Sequence, residues 1–162
     1  MDVNTLTWAV LLLPLLVAAS ILLGLKRWSG VSSLVSTGSA LFTLLMCIML
    51  ASGAEGEAIS FPWLMLDGGK FTVNIGLKID GLSKGMMLIV TLVGFLVHLF
   101  SLAYMKDDAG KSRYFAGLSL FMFSMTGIVL VDNLVMMFIF WELVGVSSYI
   151  LIGHWFHKES AA

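Results

Sequence analysis

The chain has 162 residues, of which 59% are hydrophobic and 12% charged, with a mean hydropathy of +1.00 and a net charge of −1. A soluble domain carries about 25% charged residues, so the composition excludes an ordinary soluble domain, and the near-neutral balance removes any electrostatic case for nucleic acid. A single cysteine, Cys47, excludes an intrachain disulfide and the thiolate set of an iron–sulfur cluster.

The apolar residues fall into blocks of roughly 18 to 24, long enough to cross a hydrocarbon core of about 30 Å. This is the pattern of a helical protein that crosses a membrane several times. The first block predicts helix 1 over Leu6 to Leu25. A cleaved signal peptide needs a basic start and a small-residue cleavage site. Here Asp2 precedes the span and Lys26-Arg27 follows it, which predicts a retained helix with its start facing outward. Pro14 removes one backbone hydrogen bond and is expected to kink this helix, which neighbouring helices tolerate.

Helix 2 is predicted over Val31 to Ala51. Ser32, Ser36 and Ala40 recur four apart and form a small-residue face for close helix packing, and Cys47 reads as a buried small hydrophobe. Residues 53 to 80 read as an extramembrane loop. Phe71, Val73, Ile75, Leu77 and Ile79 alternate with polar or small residues, the period of a strand. An apolar run from Ile59 to Leu66 precedes it, and Asp67-Gly68 between them suits a tight hairpin turn. Pro62 marks the first strand as an edge.

Helix 3 is predicted over Leu82 to Met105, with Lys84 snorkelling at its outer end. His98 lies about 24 Å along the helix from Leu82 by helix rise. It reads equally as a hydrogen-bonded packing residue and as a candidate proton relay. Leu102 to Lys106 fits a loose cholesterol-contact pattern, but an interfacial Tyr104 followed by Lys106 explains it more simply. Gly110-Lys111-Ser112 ends like a phosphate-binding loop, yet Met105 stands where that motif needs glycine.

Helix 4 is predicted over Tyr114 to Val131. Its Ser119, Ser124 and Thr126 are candidates for bonds between helices or for holding water. Asp132-Asn133 is a break short enough to make helices 4 and 5 an antiparallel pair, and either residue can cap the second of them. Helix 5 is predicted over Leu134 to Gly153. His154 and His157 in the tail are spaced as a metal pair but have no third ligand in view. The expected division is helices 1 and 2 in residues 1–53, the loop in 54–80, helix 3 in 81–106, and helices 4 and 5 in 107–162.

Alternating spans place Lys26, Arg27, Lys106, Lys111, Arg113 and Lys158 on one side and Lys70, Lys78 and Lys84 on the other. The positive-inside rule therefore predicts the N-terminus and hairpin outside and the tail in the cytoplasm.

Glu142 is the candidate functional residue. It stands about 12 Å into helix 5, where an ionised carboxylate costs about 2.5–3.5 kcal/mol on insertion scales. Gly145 and Tyr149 share its face, the first admitting a close neighbour and the second offering a hydroxyl. No lysine or arginine of this chain reaches that depth. The carboxyl is then a neutral strut, one half of an ion pair with another segment, or a site that loads and releases protons.

The run Phe140-Trp141-Glu142-Leu143-Val144-Gly145-Val146-Ser147-Ser148-Tyr149-Ile150-Leu151-Ile152-Gly153 resembles the fifth helix of subunit L of bacterial complex I and of mitochondrial subunit 5. Asp80-Gly81-Leu82-Ser83, His98-Leu99-Phe100-Ser101, Arg113-Tyr114-Phe115-Ala116, Phe121-Met122-Phe123-Ser124-Met125, Asp132-Asn133-Leu134 and His157-Lys158 extend the resemblance. It covers nearly the whole chain, and its superfamily includes Mrp-type antiporter subunits. The resemblance implies the N-terminal portion of an all-α antiporter-like fold, with five membrane helices, a short outer hairpin, and an inverted repeat beginning at helix 4. It implies proton translocation at Glu142, coupled to lysines on later helices, with His98, Tyr149, Gly145 and Ser124 as candidate relay or support. It implies no cofactor in this chain, since NADH, flavin, iron–sulfur clusters and quinone belong to other subunits. The expected partners are an adjacent antiporter-like subunit and a lateral helix, and the expected site is the bacterial inner membrane or the mitochondrial one. Such subunits have well over a dozen helices, so the sequence predicts a fragment, part of a split subunit, or a non-transporting scaffold. An Mrp-type sodium/proton antiporter subunit is the alternative reading.

Overall fold

A computed structural model describes residues 3–53, 56–57, 60–66 and 71–155. Among the described residues five helices are long and apolar enough to span a membrane. These are α1 (Val3–Ser20, extended by a π-helical turn over Ile21–Leu25), α2 (Ser29–Ala51), α3 (Gly81–Tyr104), α4 (Lys111–Leu130) and α5 (Leu134–Ile152). α1 runs through Pro14, which is buried within it. A 3-10 turn, Gly153–Trp155, follows α5.

α4 is the hub, packing against α1, α2, α3 and α5. Of its best membrane window 61% is buried, against 11% for α5, so α4 is central and α5 lies on the rim. The predicted start of helix 4 at Tyr114 is three residues late. Lys111, Ser112 and Arg113 are too polar to join a hydropathy window yet form its first turn, with Ser112 buried. The apolar core fills the hairpin-side half of the bundle: Leu6, Val10 and Leu11 of α1, Met46, Cys47 and Leu50 of α2, Met87 of α3, and Phe123 and Leu130 of α4. Cys47 is buried there, as expected. The small-residue face of α2 is buried as well, and Ser36 bonds across to α4.

The described part of the loop between α2 and α3 holds two antiparallel pairs. β2 (Phe61–Leu66) pairs with β3 (Phe71–Ile75), with a register shift between Pro62 and Leu64. β1 (Gly56–Glu57) pairs with β4 (Lys78–Ile79), a pair too short to show in sequence periodicity. The expected Asp67-Gly68 turn, the start of the run at Ile59 and the tail residues His157 and Lys158 lie outside the described residues. The single strand expected from Phe71 to Ile79 is interrupted at Gly76. That glycine packs so closely on the Asp132 carboxyl and on Ser60 that a Cβ has no room. Leu77 bridges to Val131, and Asp132 N–H donates to the Gly76 carbonyl at 3.3 Å. The strands are thus docked on the α4–α5 break.

Two caps set the helix starts nearest the candidate site. Asn133 Oδ1 accepts from the Met136 N–H at 3.0 Å, and its Nδ2 donates to the Asn74 carbonyl at 2.8 Å. One side chain therefore starts α5 and ties it to β3. Asn133→Ala is expected to cost about 1–2 kcal/mol, and Asn133→Asp at least as much, because it keeps the cap but sets a carboxylate oxygen against the Asn74 carbonyl and the Asp132 carboxylate, to which the amide now donates. Thermal unfolding of the purified protein measures both. At α3, Asp80 and Ser83 form a reciprocal capping box. The Ser83 N–H on its carboxylate, aided by the Ser83 hydroxyl and Lys78, holds Asp80 below the usual carboxylate range. Its folded state favours the anion, so this stabilisation is present above the usual range and is lost as pH falls through the lowered value. The protection of the Ser83 amide against hydrogen exchange, taken relative to the intrinsic rate at each pH, is expected to fall at acid pH, and in Asp80→Ala at all pH values.

Candidate functional site

Of α5 only Phe140 and Ser147 are buried. Phe140 wedges against α4. Its ring meets Phe123 edge-on at 5.2 Å and lies over Gly127, where a Cβ would overlap it. At 100° per residue, Glu142 is about 200° around the helix from Phe140. It therefore faces away from the bundle and is exposed. Phe138, Trp141, Gly145, Val146 and Tyr149 are exposed with it, and the rings of Phe138 and Trp141 are 6.5 Å apart.

No described residue gives Glu142 a hydrogen bond or an ion pair. Gly145 has open space where its side chain would be. Tyr149 is 79% exposed and flanks a groove of about 610 Å³ with Arg113, Leu120 and Gly153. The three residues do share one face, as the sequence predicts, but that face has no counterpart among the described residues.

The other two candidate residues lie elsewhere. Ser124 is buried in α4 and donates to the Leu120 carbonyl at 2.8 Å, so it bonds its own helix rather than supporting Glu142. Thr126 does the same with the Met122 carbonyl, whereas Ser119 does bond between helices, to Ser36 at 2.7 Å. His98 is buried between α3 and α4, its ring 6.2 Å from that of Phe115. It is separated from Glu142 by α4, on which α3 and α5 both pack, so the two do not meet.

A second cluster at the tail end has no signal in sequence spacing. His154 Nε2 meets Asp108 Oδ1 at 3.1 Å, and that oxygen accepts from Gly110 N–H at 2.6 Å. A Cβ at Gly110 would press on the His154 ring, at 2.7 Å. This locks the α3–α4 loop onto the end of α5. Among the described residues no group of three metal-ligating side chains occurs.

Residues 63–115 match the family described as NADH-ubiquinone oxidoreductase (complex I), chain 5 N-terminus. Residues 131–162 match the membrane family of NADH:quinone oxidoreductase and Mrp antiporters. NADH-quinone oxidoreductase subunit L of Mycobacterium tuberculosis is 38% identical over 164 aligned positions, covering 96% of this chain and 26% of the relative. Subunit L of Escherichia coli K12 is 38% identical over 151, covering 90% and 25%. Chloroplastic NAD(P)H-quinone oxidoreductase subunit 5 of Zygnema circumcarinatum is 39% identical over 174, covering 99% and 24%. The chain thus spans about a quarter of the length of the curated relatives it matches.

Proposed function

Because the chain belongs to the antiporter-like family of NADH–quinone oxidoreductase subunit L and subunit 5, we propose that it is a membrane-embedded part of the proton-translocating machinery of such a complex, with Glu142 as the proton-carrying group. One observation carries the reading. A carboxyl stands at mid-span on the outward face of a membrane helix, and no described residue partners it. Hydrocarbon disfavours the charged form of an acid without a partner. A cation brought beside it by another segment or chain favours the carboxylate and releases the proton, and withdrawal of the cation favours reloading. Gly145 gives such a neighbour room to approach.

The chain performs no redox chemistry in this reading. NADH, flavin, iron–sulfur clusters and quinone are held by other subunits. The exposed Phe61, Trp63, Leu64 and Met65 of β2 suit contact with an adjacent antiporter-like subunit. The excess of lysine and arginine at the tail end favours an outer N-terminus and an inner tail, in the bacterial plasma membrane.

The second matched family also names Mrp antiporters, which keeps sodium/proton exchange as the competing reading. Vesicles bearing the complete complex separate the two. Proton uptake driven by NADH oxidation and indifferent to sodium supports the proposal. A pH change driven by a sodium gradient without NADH replaces it with exchange.

A further inference from the structure

Three buried polar side-chain atoms among the described residues have no protein hydrogen-bond partner: Thr37 Oγ1, His98 Nε2 and Ser112 Oγ. All three lie toward the tail end of the bundle. By helix rise, Thr37 is about 12 Å from the start of α2, His98 about 9 Å from the end of α3, and Ser112 within the first turn of α4. The hairpin half behaves differently. There Thr7, Thr43, Thr91 and Thr126 each donate to a carbonyl of their own helix, and the space between helices is apolar.

The tail-end polar groups are linked. Ser36, the neighbour of Thr37, donates to the Phe115 carbonyl at 3.1 Å, and the Phe115 ring packs on His98. The hydroxyls of Ser101 and Tyr114 are 3.4 Å apart. The Tyr114 ring lies edge-on at 5.3 Å from that of His154, which in turn holds Asp108. A ring contact and one hydroxyl pair therefore lead from the His154–Asp108 contact toward Ser101, one turn along α3 from His98. His98 and Tyr114 both line a cavity of about 480 Å³ between α3 and α4 that is otherwise walled by apolar side chains.

The hydrogen bonding assigns the imidazole tautomer. His98 Nδ1 is 2.7 Å from the Gly94 carbonyl. A carbonyl only accepts, so Nδ1 carries the hydrogen and neutral Nε2 presents a bare lone pair. A buried acceptor without a partner costs about 1–3 kcal/mol, and ordered water is the usual remedy where several polar groups converge.

We propose that His98 Nε2, with the hydroxyls of Tyr114 and Ser101, forms a water-binding, protonatable station at the tail-facing side of the bundle, reached past His154 and Asp108. The ligand is water and the proton it delivers. In the loading step an excess proton carried along the bound water chain from the tail-side solution bonds to Nε2, leaving the waters neutral and giving imidazolium with Nδ1–H still on Gly94. Unloading returns that proton to the water chain, and His98 is neutral again. The station is separate from Glu142. Its proton-carrying role rests on the translocation reading above, while its water occupancy does not.

The test uses the assembled complex with its full-length subunit. A map that resolves buried water is expected to show density within hydrogen-bond distance of His98 Nε2 and of the Tyr114 hydroxyl. A dry Nε2 in a map with ordered water at other buried hydroxyls overturns the site. His98→Leu is expected to slow NADH-driven proton uptake about a hundredfold, at the modest end for loss of a proton-transfer group. His98→Gln, which can hold water but not carry its proton, stays equally slow, and Tyr114→Phe falls between. Wild-type uptake in His98→Gln overturns the proton step, since packing and water binding alone then suffice. Normal uptake in the His98 variants with uptake lost in Glu142→Gln defeats the station alone. Normal uptake in Glu142→Gln defeats the broader reading and leaves the water density to decide the site.

Discussion

Glu142→Gln is expected to cut NADH-driven proton uptake by about a hundredfold or more, the scale of losing a group that must bind and release the proton, while the complex assembles and oxidises NADH. The separation of effects follows from the geometry. The side chain faces outward and bonds to no described residue, so an isosteric neutral amide leaves no protein group here unpaired. Surface substitutions without such a consequence stay within about 0.5 kcal/mol. Glu142→Asp keeps the acid but withdraws it by one methylene, and intermediate uptake is expected. Fluorescent pH probes in inverted vesicles, with NADH oxidation followed in parallel, give both quantities. Wild-type uptake by the glutamine variant would remove Glu142 from the mechanism.

The second large effect is structural and reaches the same residue. Phe140→Ala is expected to destabilise the protein by about 3–5 kcal/mol, as large-to-small changes at buried aromatics do. Phe140 is the one large side chain of α5 described as buried, and it fills the space left by Gly127. Filling that space instead, with Gly127→Leu, pushes the ring and hence α5 away from α4, at about 1–3 kcal/mol. Both changes are read by thermal unfolding of the purified complex. Both are also expected to lower proton uptake, because the direction Phe140 faces is what turns Glu142 outward. Phe140→Leu, which keeps most of the wedge, is expected to recover the larger share of both. Unchanged unfolding in Phe140→Ala would mean that contacts beyond this chain hold α5 in place.

Some parts of the molecule were readable from local pattern. Five spans follow from uninterrupted apolar length, because each helix must satisfy its own backbone in lipid. The β2–β3 pair follows from alternation, and the cap at Asn133 from residue type. The small-residue face of α2 was legible because serines four apart point the same way, and Ser36 does bond to α4. The β1–β4 pair was not, since two residues carry no period. Nor was the break at Gly76, which arises from contact with Asp132, distant in the chain.

The candidate site divides along the same line. That Glu142 is an unusual, costly carboxyl at mid-span, sharing a face with Gly145 and Tyr149, was determined by sequence alone, because depth and face depend only on helix rise and turn. Which way that face points was decided by the tertiary structure. In lipid the outside of a helix is as apolar as its inside, so hydropathy marks neither face of α5, and the fit of Phe140 into Gly127 chooses. The same holds for His98. Its place in the chain left packing and relay equally open, and only the assembled helices show Nδ1 held by Gly94 and Nε2 buried without a protein partner.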